Sequence, residues 1–218
     1  MPRLRIHARS GALATIALSG LASTAQAAFI GLTSTNAQVV DGSRRFSVID
    51  VYAEFTGAYD KLVNFYGSTG STSMVRSSLN GVADAIGFAQ AGGSNWLPSG
   101  SSSGSAWDSY VTIGARSQSD ASSLVQADPY FLNASTVGAG TVSGGSNSQG
   151  TYVGAGWFTG SPTASHVFAG TYVDRRIMLG RFSVETTGLS ATDVVTLRYK
   201  GNLSMRVNGA SAGAGSIL

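Results

Sequence analysis

The amino-acid sequence predicts an all-β protein, most simply a single antiparallel β-sandwich or jelly roll. Glycine accounts for 29 of the 218 residues, and together with frequent serine and threonine it disfavours long helices. Apolar and polar residues alternate in several short segments, which is the pattern of strands with one buried face. Turn-forming clusters separate these segments, as in sandwiches and jelly rolls. The roughly 190 residues after position 27 suffice for one hydrophobic core.

The amino terminus has the three parts of a secretory signal. Residues 1–9 carry three arginines and no acid, an apolar stretch follows over 12–18, and small residues close the segment at Ala25-Gln26-Ala27. The apolar stretch is shorter than the ~20 residues that a membrane-spanning helix needs. We therefore expect a helical signal peptide over 1–27, cleaved near Ala27. The mature chain is expected in the extracellular space or the periplasm, with no membrane span.

Alternation of apolar and polar residues predicts seven strands after the leader. In the first strand Ile49, Val51, Ala53 and Phe55 share one face, which is predicted to be fully buried. A turn-forming cluster at 57–60 joins the first two strands, so they are expected to pair as a hairpin. The predicted strands are 45–55, 62–66, 107–114, 151–158, 176–185, 193–200 and 203–207.

These strands define one β-sandwich domain over 28–208. A small and polar segment over 209–218 follows, and its composition predicts a flexible carboxy-terminal tail. Two long loops, 90–106 and 138–150, consist largely of glycine and serine and are predicted to be flexible. No internal repeat or second hydrophobic core divides the domain.

The charge pattern argues against a nucleic-acid partner. The whole chain has 14 basic and 11 acidic residues. Three of the basic residues lie in the leader, so the mature chain is balanced and has no electrostatic reason to seek nucleic acid. Charged residues make up 11% of the chain, against about 25% in ordinary soluble domains. The surface must therefore consist mainly of uncharged polar side chains, as in exported structural proteins.

The residues that usually carry catalysis are scarce. The chain has no cysteine, which excludes disulfides, thiolate metal sites and a cysteine nucleophile. His166 is the one histidine outside the leader, so neither a closed zinc site nor a serine–histidine–acid triad is expected. Residues 100–104 match G-x-S-x-G but lie in a serine–glycine run without the required strand and helix. No catalytic residue and no cofactor are predicted, and a structural calcium ion held by scattered acids stays open.

Four residues are candidates for ligand binding. Asp108 lies beside Trp107 and Tyr110, and aromatic platforms near carboxylates are typical of proteins that act on sugars. The alternative is that Asp108 faces a turn at a strand start while one of its aromatic neighbours packs. Trp96, within the glycine- and serine-rich loop, either packs onto the sandwich or stays exposed for a ligand.

Three stretches carry a resemblance to a known group. Residues 51–57, 60–67 and 107–114 resemble uncharacterised exported bacterial proteins that are common in planctomycetes and related environmental bacteria. Their domain is similar to the cohesin-type β-sandwich of extracellular scaffolds. The resemblance covers roughly Phe29 to Asn208 and implies a partner protein held on one face of a sheet. It assigns no binding residue.

Two classes of function remain open. The first is a secreted, non-catalytic structural, adhesive or protein-interaction module, with another extracellular protein as its partner. The alternative is an extracellular carbohydrate-active protein, either a sugar-binding module or a glycoside hydrolase, with a polysaccharide as its ligand. Two carboxylates about 5–10 Å apart in an aromatic groove would favour the hydrolase. Coplanar exposed rings would favour the sugar-binding module, and acids isolated at turns and rims would favour the interaction module.

Overall fold

In the part of the chain that the structure describes, the regular structure is almost entirely β-strand. The computed structural model describes residues 29–66, 73–91, 105–115, 125–127, 141–143, 146–147, 150–151, 156–199, 201–207, 210–211 and 215–217. Within these ranges the strands pair antiparallel throughout, and the helical elements are two single 3₁₀ turns at Ser165–Val167 and Ala169–Thr171. The predicted all-β class is therefore confirmed.

Sixteen strands follow one another along the described residues. They are β1 (Phe29–Asp41), β2 (Arg44–Phe55), β3 (Lys61–Tyr66), β4 (Ser73–Leu79), β5 (Val82–Ala83), β6 (Tyr110–Val111), β7 (Val125–Ala127), β8 (Thr141–Ser143), β9 (Ser146–Asn147), β10 (Gly150–Thr151), β11 (Gly156–Thr159), β12 (Arg176–Glu185), β13 (Val195–Tyr199), β14 (Gly201–Val207), β15 (Ala210–Ser211) and β16 (Gly215–Ile217).

The strands form three larger sheets and one two-stranded ribbon. Sheet A has the order β1-β2-β12-β6, and sheet B has the order β15-β14-β3-β11-β7 with β16 also on β14. Sheet C has the order β13-β4-β5 with β8 also on β4, and β9 pairs with β10. Each sheet joins strands that are distant in sequence, so the fold depends on long-range pairing.

One buried hydrophobic cluster draws side chains from all three larger sheets. Sheet A contributes most of them, for example Val51 and Phe182, both 1% exposed. Sheet B contributes Trp157, and sheet C contributes Val75, both also 1% exposed. The Trp157 Nε1 donates a hydrogen bond of 2.8 Å to the Thr112 carbonyl oxygen, which satisfies the one polar atom that this side chain brings into the core.

Strand β2 is covered on both faces, which differs from the prediction of one buried face. Val51, Ala53 and Phe55 are buried in the core cluster as predicted, while Ile49 is only half-buried. On the opposite face Phe46 and Tyr52 are 0% and 7% exposed. The reason is that other segments pack over this second face: Trp107, Ala89 and Ala91 lie against Phe46, and Tyr110 and Met178 lie against Tyr52.

The predicted hairpin between the first two strands is wrong. Strand β2 pairs with β1 and β12, whereas β3 pairs with β14 and β11 in a different sheet. The turn between them is closed by Asp60, whose amide N–H donates to the Gly57 carbonyl and whose carboxylate accepts the Gly57 N–H at 3.0 Å. The turn therefore carries the chain from sheet A to sheet B. The unpredicted strand β1 takes the place that β3 was expected to fill.

The remaining strand predictions agree to different degrees. Strand β12 covers the predicted 176–185, and β13 and β14 fall within one or two residues of theirs. The predicted strand 107–114 is reduced to β6, because a bulge in β12 breaks the regular ladder beyond Val111. Within 209–218, where the composition predicts a flexible tail, the described strands β15 and β16 pair with β14.

The bulge in β12 shifts which side chains face the core. Met178 lies opposite Tyr52, but Gly180 lies opposite Val51 and Arg181 opposite Asp50. One extra residue in β12 therefore resets the alternation, so that Arg181 points away from the core cluster rather than into it. Gly180 fits this position because a side chain there would collide with the Tyr110 carbonyl oxygen and the Phe182 ring.

Some predictions fall outside the described residues. The signal peptide over 1–27 lies outside them. So do residues 92–104 of the first predicted loop, which include Trp96. The described part of the chain contains no helix that is long and apolar enough to cross a membrane.

Replacing Gly114 by alanine should destabilise the fold far more than replacing Gly42. Both glycines have positive φ, +76° and +58°, so each substitution should cost about 1 kcal/mol from backbone strain. A methyl group at 114 would also collide with the His166 backbone oxygen and the Tyr172 hydroxyl, whereas nothing lies within 4 Å of one at 42. We expect the additional loss at 114 to be about 2 kcal/mol. Urea unfolding of both variants measures this, and equal losses would contradict the packing of 114.

Candidate functional site

The face of sheet A that is turned away from the core carries most of the charged side chains of that sheet. Residues directly opposite each other in an antiparallel pair point to the same side. Arg181 lies opposite both Asp50 on β2 and Tyr110 on β6, which defines this side. We call it the outer face. Its described side chains include Arg44, Phe46, Asp50, Tyr52 and Glu54 of β2, Arg176, Met178, Arg181 and Glu185 of β12, and Tyr110 of β6.

Arg181 holds the middle of the outer face together. Its Nε and Nη2 donate to the two Asp50 carboxylate oxygens at 2.7 and 2.9 Å, and its Nη1 donates to the Ala106 carbonyl at 3.0 Å. The guanidinium carbon also lies 5.8 Å from the centre of the Tyr110 ring. The hydrogen bonds that Arg181 donates to Asp50 are the main reason that the pKa of Arg181 lies above its ordinary value. One side chain thus connects β2, β6, β12 and the segment before β6.

A second cluster lies at the end of the outer face near the β1–β2 turn. The rings of Phe46 and Trp107 stack at 4.4 Å with an interplanar angle of 4°, and Trp107 Nε1 donates to Asp41 at 2.8 Å. The guanidinium of Arg44 lies 4.8 Å from both ring centres and binds Glu185 through two nitrogens, at 3.1 and 2.7 Å. The hydrogen bond from Arg44 lowers the pKa of Glu185.

A third arginine–carboxylate pair lies at the opposite end of the face. Arg176 donates to Asp174 at 2.7 Å, and its guanidinium lies 5.1 Å from the centre of the Tyr52 ring. The side chains of Arg44, Arg176 and Arg181 remain 45%, 29% and 25% exposed. The aromatic rings beneath are almost inaccessible, so the face presents guanidinium and carboxylate groups to solvent over an aromatic layer.

The predicted ligand-binding residues are packed where the structure describes them. Trp107 and Tyr110 are each 7% exposed, and Asp108 is 3% exposed. Trp107 and Tyr110 belong to the aromatic layer of the outer face, while the Asp108 carboxylate points elsewhere and accepts the Ala91 N–H at 2.7 Å. The three residues therefore do not form an open sugar platform. They agree with the alternative in which Asp108 serves a turn and its aromatic neighbours pack.

Asp108 fixes the segment at 88–91 beside sheet A. The Ser109 amide donates to the Ala89 carbonyl, and the Ala89 amide donates to the Ser183 carbonyl of β12. With the Ala91 hydrogen bond, these contacts tie the segment to β12 and to the start of β6. Burial raises the pKa of Asp108 above its ordinary 3.8, against the opposing effects of the Ala91 hydrogen bond and the charge of Arg181.

Nearly every described carboxylate is occupied by a structural contact. Four pair with arginines, one accepts an indole N–H, and three accept backbone N–H groups at turns. The carboxylates paired with arginines are Asp50, Asp84, Asp174 and Glu185. The carboxylate that accepts the indole N–H is Asp41, and those that accept backbone N–H groups are Asp60, Asp108 and Asp193. The exception among the described acids is Glu54, which is half-buried on the outer face. A carboxylate engaged in this way is poorly placed to exchange protons with a substrate.

His166 lies inside a packed 3₁₀ turn and is 8% exposed. Its backbone oxygen accepts a hydrogen bond from the Tyr172 hydroxyl at 3.0 Å. Within the described ranges, no three histidine, aspartate or glutamate side chains gather where they could share a metal ion. The suggested calcium ion stays a prediction.

Exposed aromatic rings are sparse on the described surface. Tyr59, in the turn between β2 and β3, is 71% exposed, and Phe158 is 36% exposed. Trp107, Trp157, Tyr52 and Tyr110 are all at most 7% exposed. In the described part of the molecule, the indole rings are therefore not displayed as a sugar-stacking platform.

The sequence signal for the outer face is the break in the alternation of β12. Apolar residues at 177 and 179 are followed by apolar residues at 182 and 184, with Gly180 at the change of phase. Such a phase change at a glycine indicates a bulge, and it places Arg181 on the same side as Met178. The residues that dominate the face, Arg44, Arg176 and Arg181, were not among the sequence-based candidates.

Comparison with family models, with curated proteins and with solved structures finds no match to this chain. The candidate site must therefore be interpreted from its own geometry.

Replacing Asp108 by asparagine should change how stability depends on pH. Folding raises the pKa of Asp108 above 3.8. At pH values just above 3.8 this side chain therefore holds its proton more often in the folded state than in the unfolded state. This group therefore lowers the free energy of unfolding as the pH rises through that window. The asparagine variant keeps a hydrogen-bond acceptor for Ala91 and lacks this titration. Its stability relative to the natural chain should increase from pH 3 to pH 7.

Urea unfolding across this pH range measures the difference between the two proteins. Asp108→Ala is the control, because it removes the acceptor and should cost about 1–2 kcal/mol at pH 7. A pH-independent difference for the asparagine variant would contradict the raised pKa. An Asp108→Ala variant with an unchanged free energy of unfolding would contradict the hydrogen bond to Ala91.

Proposed function

We propose that this chain is a secreted, non-catalytic interaction module that binds another extracellular protein through the outer face of sheet A. The observation that carries the proposal is the row of three arginine–carboxylate pairs lying over buried aromatic rings. Arginine and aromatic residues are the types enriched at protein interfaces and at their energetic centres. A face of this kind offers a partner charge complementarity through guanidinium and carboxylate groups that the aromatic layer supports from beneath.

The arginines of the face are held in place before any partner arrives. Immobilising a long side chain on binding costs about 0.5–1.5 kcal/mol. Arg181 makes three hydrogen bonds within the fold, and Arg44 makes two to one carboxylate. Much of this ordering cost is therefore met by folding, which favours the use of these side chains for recognition.

The state of the carboxylates supports a non-catalytic role. A retaining or inverting glycosidase needs two carboxyl groups that face a common cleft, one of them able to hold a proton. Asp108 has a raised pKa, but its side chain is buried and bound to the Ala91 amide. Asp50 and Glu185 are bound to arginines. The sugar-binding alternative has less support, because the described Trp107 and Tyr110 rings lie beneath charged groups.

The finer description of the fold and location belongs to the same proposal. One core cluster shared by sheets A, B and C supports a sandwich or jelly-roll arrangement of cohesin type. The basic, apolar and small-residue parts of the leader support export. Strand β1 begins at Phe29, two residues beyond the proposed cleavage after Ala27, so cleavage would leave the described strands intact.

Charge reversal at Arg44 tests the proposed face. The exported chain, whose mass should correspond to a first residue of Ala28, is immobilised and used to capture proteins from the extracellular fraction of native cells. A captured protein is then purified, and its Kd is measured with Arg44→Glu and with Arg45→Glu. Arg45 is the matched control, because it is the next residue along β2 and points to the other side of sheet A.

We expect Arg44→Glu to weaken binding at least tenfold (about 1.4 kcal/mol) and Arg45→Glu to leave it nearly unchanged. The expected loss arises because the new carboxylate would face Glu185 and Asp41 and would reverse the charge that a partner meets. Circular dichroism and urea unfolding confirm that both variants fold. Equal binding by both variants, or cleavage of a polysaccharide by the purified domain, would overturn the proposal.

A further inference from the structure

A second polar surface lies on sheet C, away from the outer face of sheet A. The register between β4 and β13 places Arg198 directly opposite Arg76 and Thr196 directly opposite Ser78. Directly opposite residues have Cβ atoms about 5 Å apart and point to the same side. These four side chains line an open groove together with Gly81 and Ala83. We call it the arginine groove.

The two arginines of this groove are unequally compensated. Arg76 binds the Asp84 carboxylate through Nε and Nη2, at 3.1 and 2.6 Å. Among the residues that the structure describes, Arg198 has no ion pair and no side-chain hydrogen bond, and its side chain is exposed. The groove is thus lined by two guanidinium groups, and only that of Arg76 is paired with a described carboxylate, which leaves the groove with a net positive charge.

Like charges directly opposite each other on neighbouring strands are unfavourable. The fold compensates Arg76 by bringing Asp84 to it from a left-handed backbone conformation, with φ of +58°. Both oxygens of the Asp84 carboxylate bind Arg76. The five N–H donors of Arg198 therefore remain available for another acceptor. An oxyanion bound between the arginines would provide that acceptor and relieve the repulsion.

We infer that the arginine groove binds the sulfate or carboxylate groups of an extracellular polysaccharide. The planar guanidinium fork matches an oxyanion through two parallel hydrogen bonds. The hydroxyls of Ser78 and Thr196, next to the arginines, can exchange hydrogen bonds with a sugar ring. The groove encloses about 200 Å³ and opens to solvent, which suits one unit of a long polar chain that continues past the site.

Charge complementarity selects this occupant over an apolar or a basic one. The described lining of the groove consists of two arginines, hydroxyl groups and small residues, without a large apolar side chain among them. The mature chain as a whole has no excess of either charge. Attraction to a polyanion must therefore come from local charge, which makes single substitutions informative.

Isothermal titration at low ionic strength tests the site with the mature chain. Dextran sulfate and polygalacturonate supply the two oxyanions, and unmodified dextran is the uncharged control. Arg198→Gln removes the guanidinium from the groove. Arg45→Gln is the matched control, because it removes the same charge from another exposed arginine that lies outside this groove.

We expect binding of dextran sulfate, polygalacturonate or both, and none of dextran. Arg198→Gln should weaken the binding about fivefold more than Arg45→Gln, a ratio typical of losing one partly solvated ionic contact. Arg198→Lys should lie between, because it keeps the charge but loses the fork. The preferred polymer identifies whether sulfate or carboxylate is the ligand.

Two results would overturn this inference. One is equal weakening by the Arg198 and Arg45 variants, which would indicate attraction to the whole molecule rather than to the groove. The other is failure of both polyanions to bind, or equal binding of dextran. Arg44→Glu, on the outer face of sheet A, should weaken polyanion binding no more than Arg45→Glu, which makes the same change of charge. The inference and the protein-binding proposal can therefore fail separately.

Discussion

The ion pair between Arg181 and Asp50 is the contact on which the arrangement of sheet A depends. It joins the two central strands, β2 and β12, on the side away from the core, and the same guanidinium reaches Ala106 and the Tyr110 ring. The pair forms because a bulge in β12 turns Arg181 outward. With regular alternation this arginine would enter the hydrophobic core, where an unpaired charge is very costly.

The outward turn of Arg181 also decides what kind of surface the protein presents. The core side of β2 and β12 is filled largely by apolar side chains, so most of the charged side chains of sheet A lie on its outer face. There the aromatic rings are covered by arginines, and the arginines are bound by carboxylates. Such a face presents paired charges over packed aromatic rings. Recognition of a large partner is the use that we propose for this face, and the arginine groove on sheet C is the separate site that we infer for a polyanion.

The sequence predicts the buried strands well and the edges poorly. Strand β12 has a strong apolar pattern, and its predicted ends agree with the structure. Strand β1 lies at the edge of sheet A and exposes many of its polar residues, so it has no apolar alternation to reveal it. The hairpin prediction failed for the same reason, since β1 is the hidden partner of β2. For the site, sequence reasoning found Trp107 and Tyr110 but not the arginines above them, because their placement depends on register and on the bulge at Gly180.

A double-mutant cycle at Asp50 and Arg181 tests this account most directly. Urea unfolding of the natural chain, Asp50→Ala, Arg181→Ala and the double variant gives the coupling free energy between the two side chains. Residues in direct contact within one network typically couple by about 0.5–3 kcal/mol, and the two-nitrogen geometry and partial burial predict a value of at least ~1 kcal/mol. A coupling energy indistinguishable from zero would contradict the account, because Arg181 would then not connect β12 to β2.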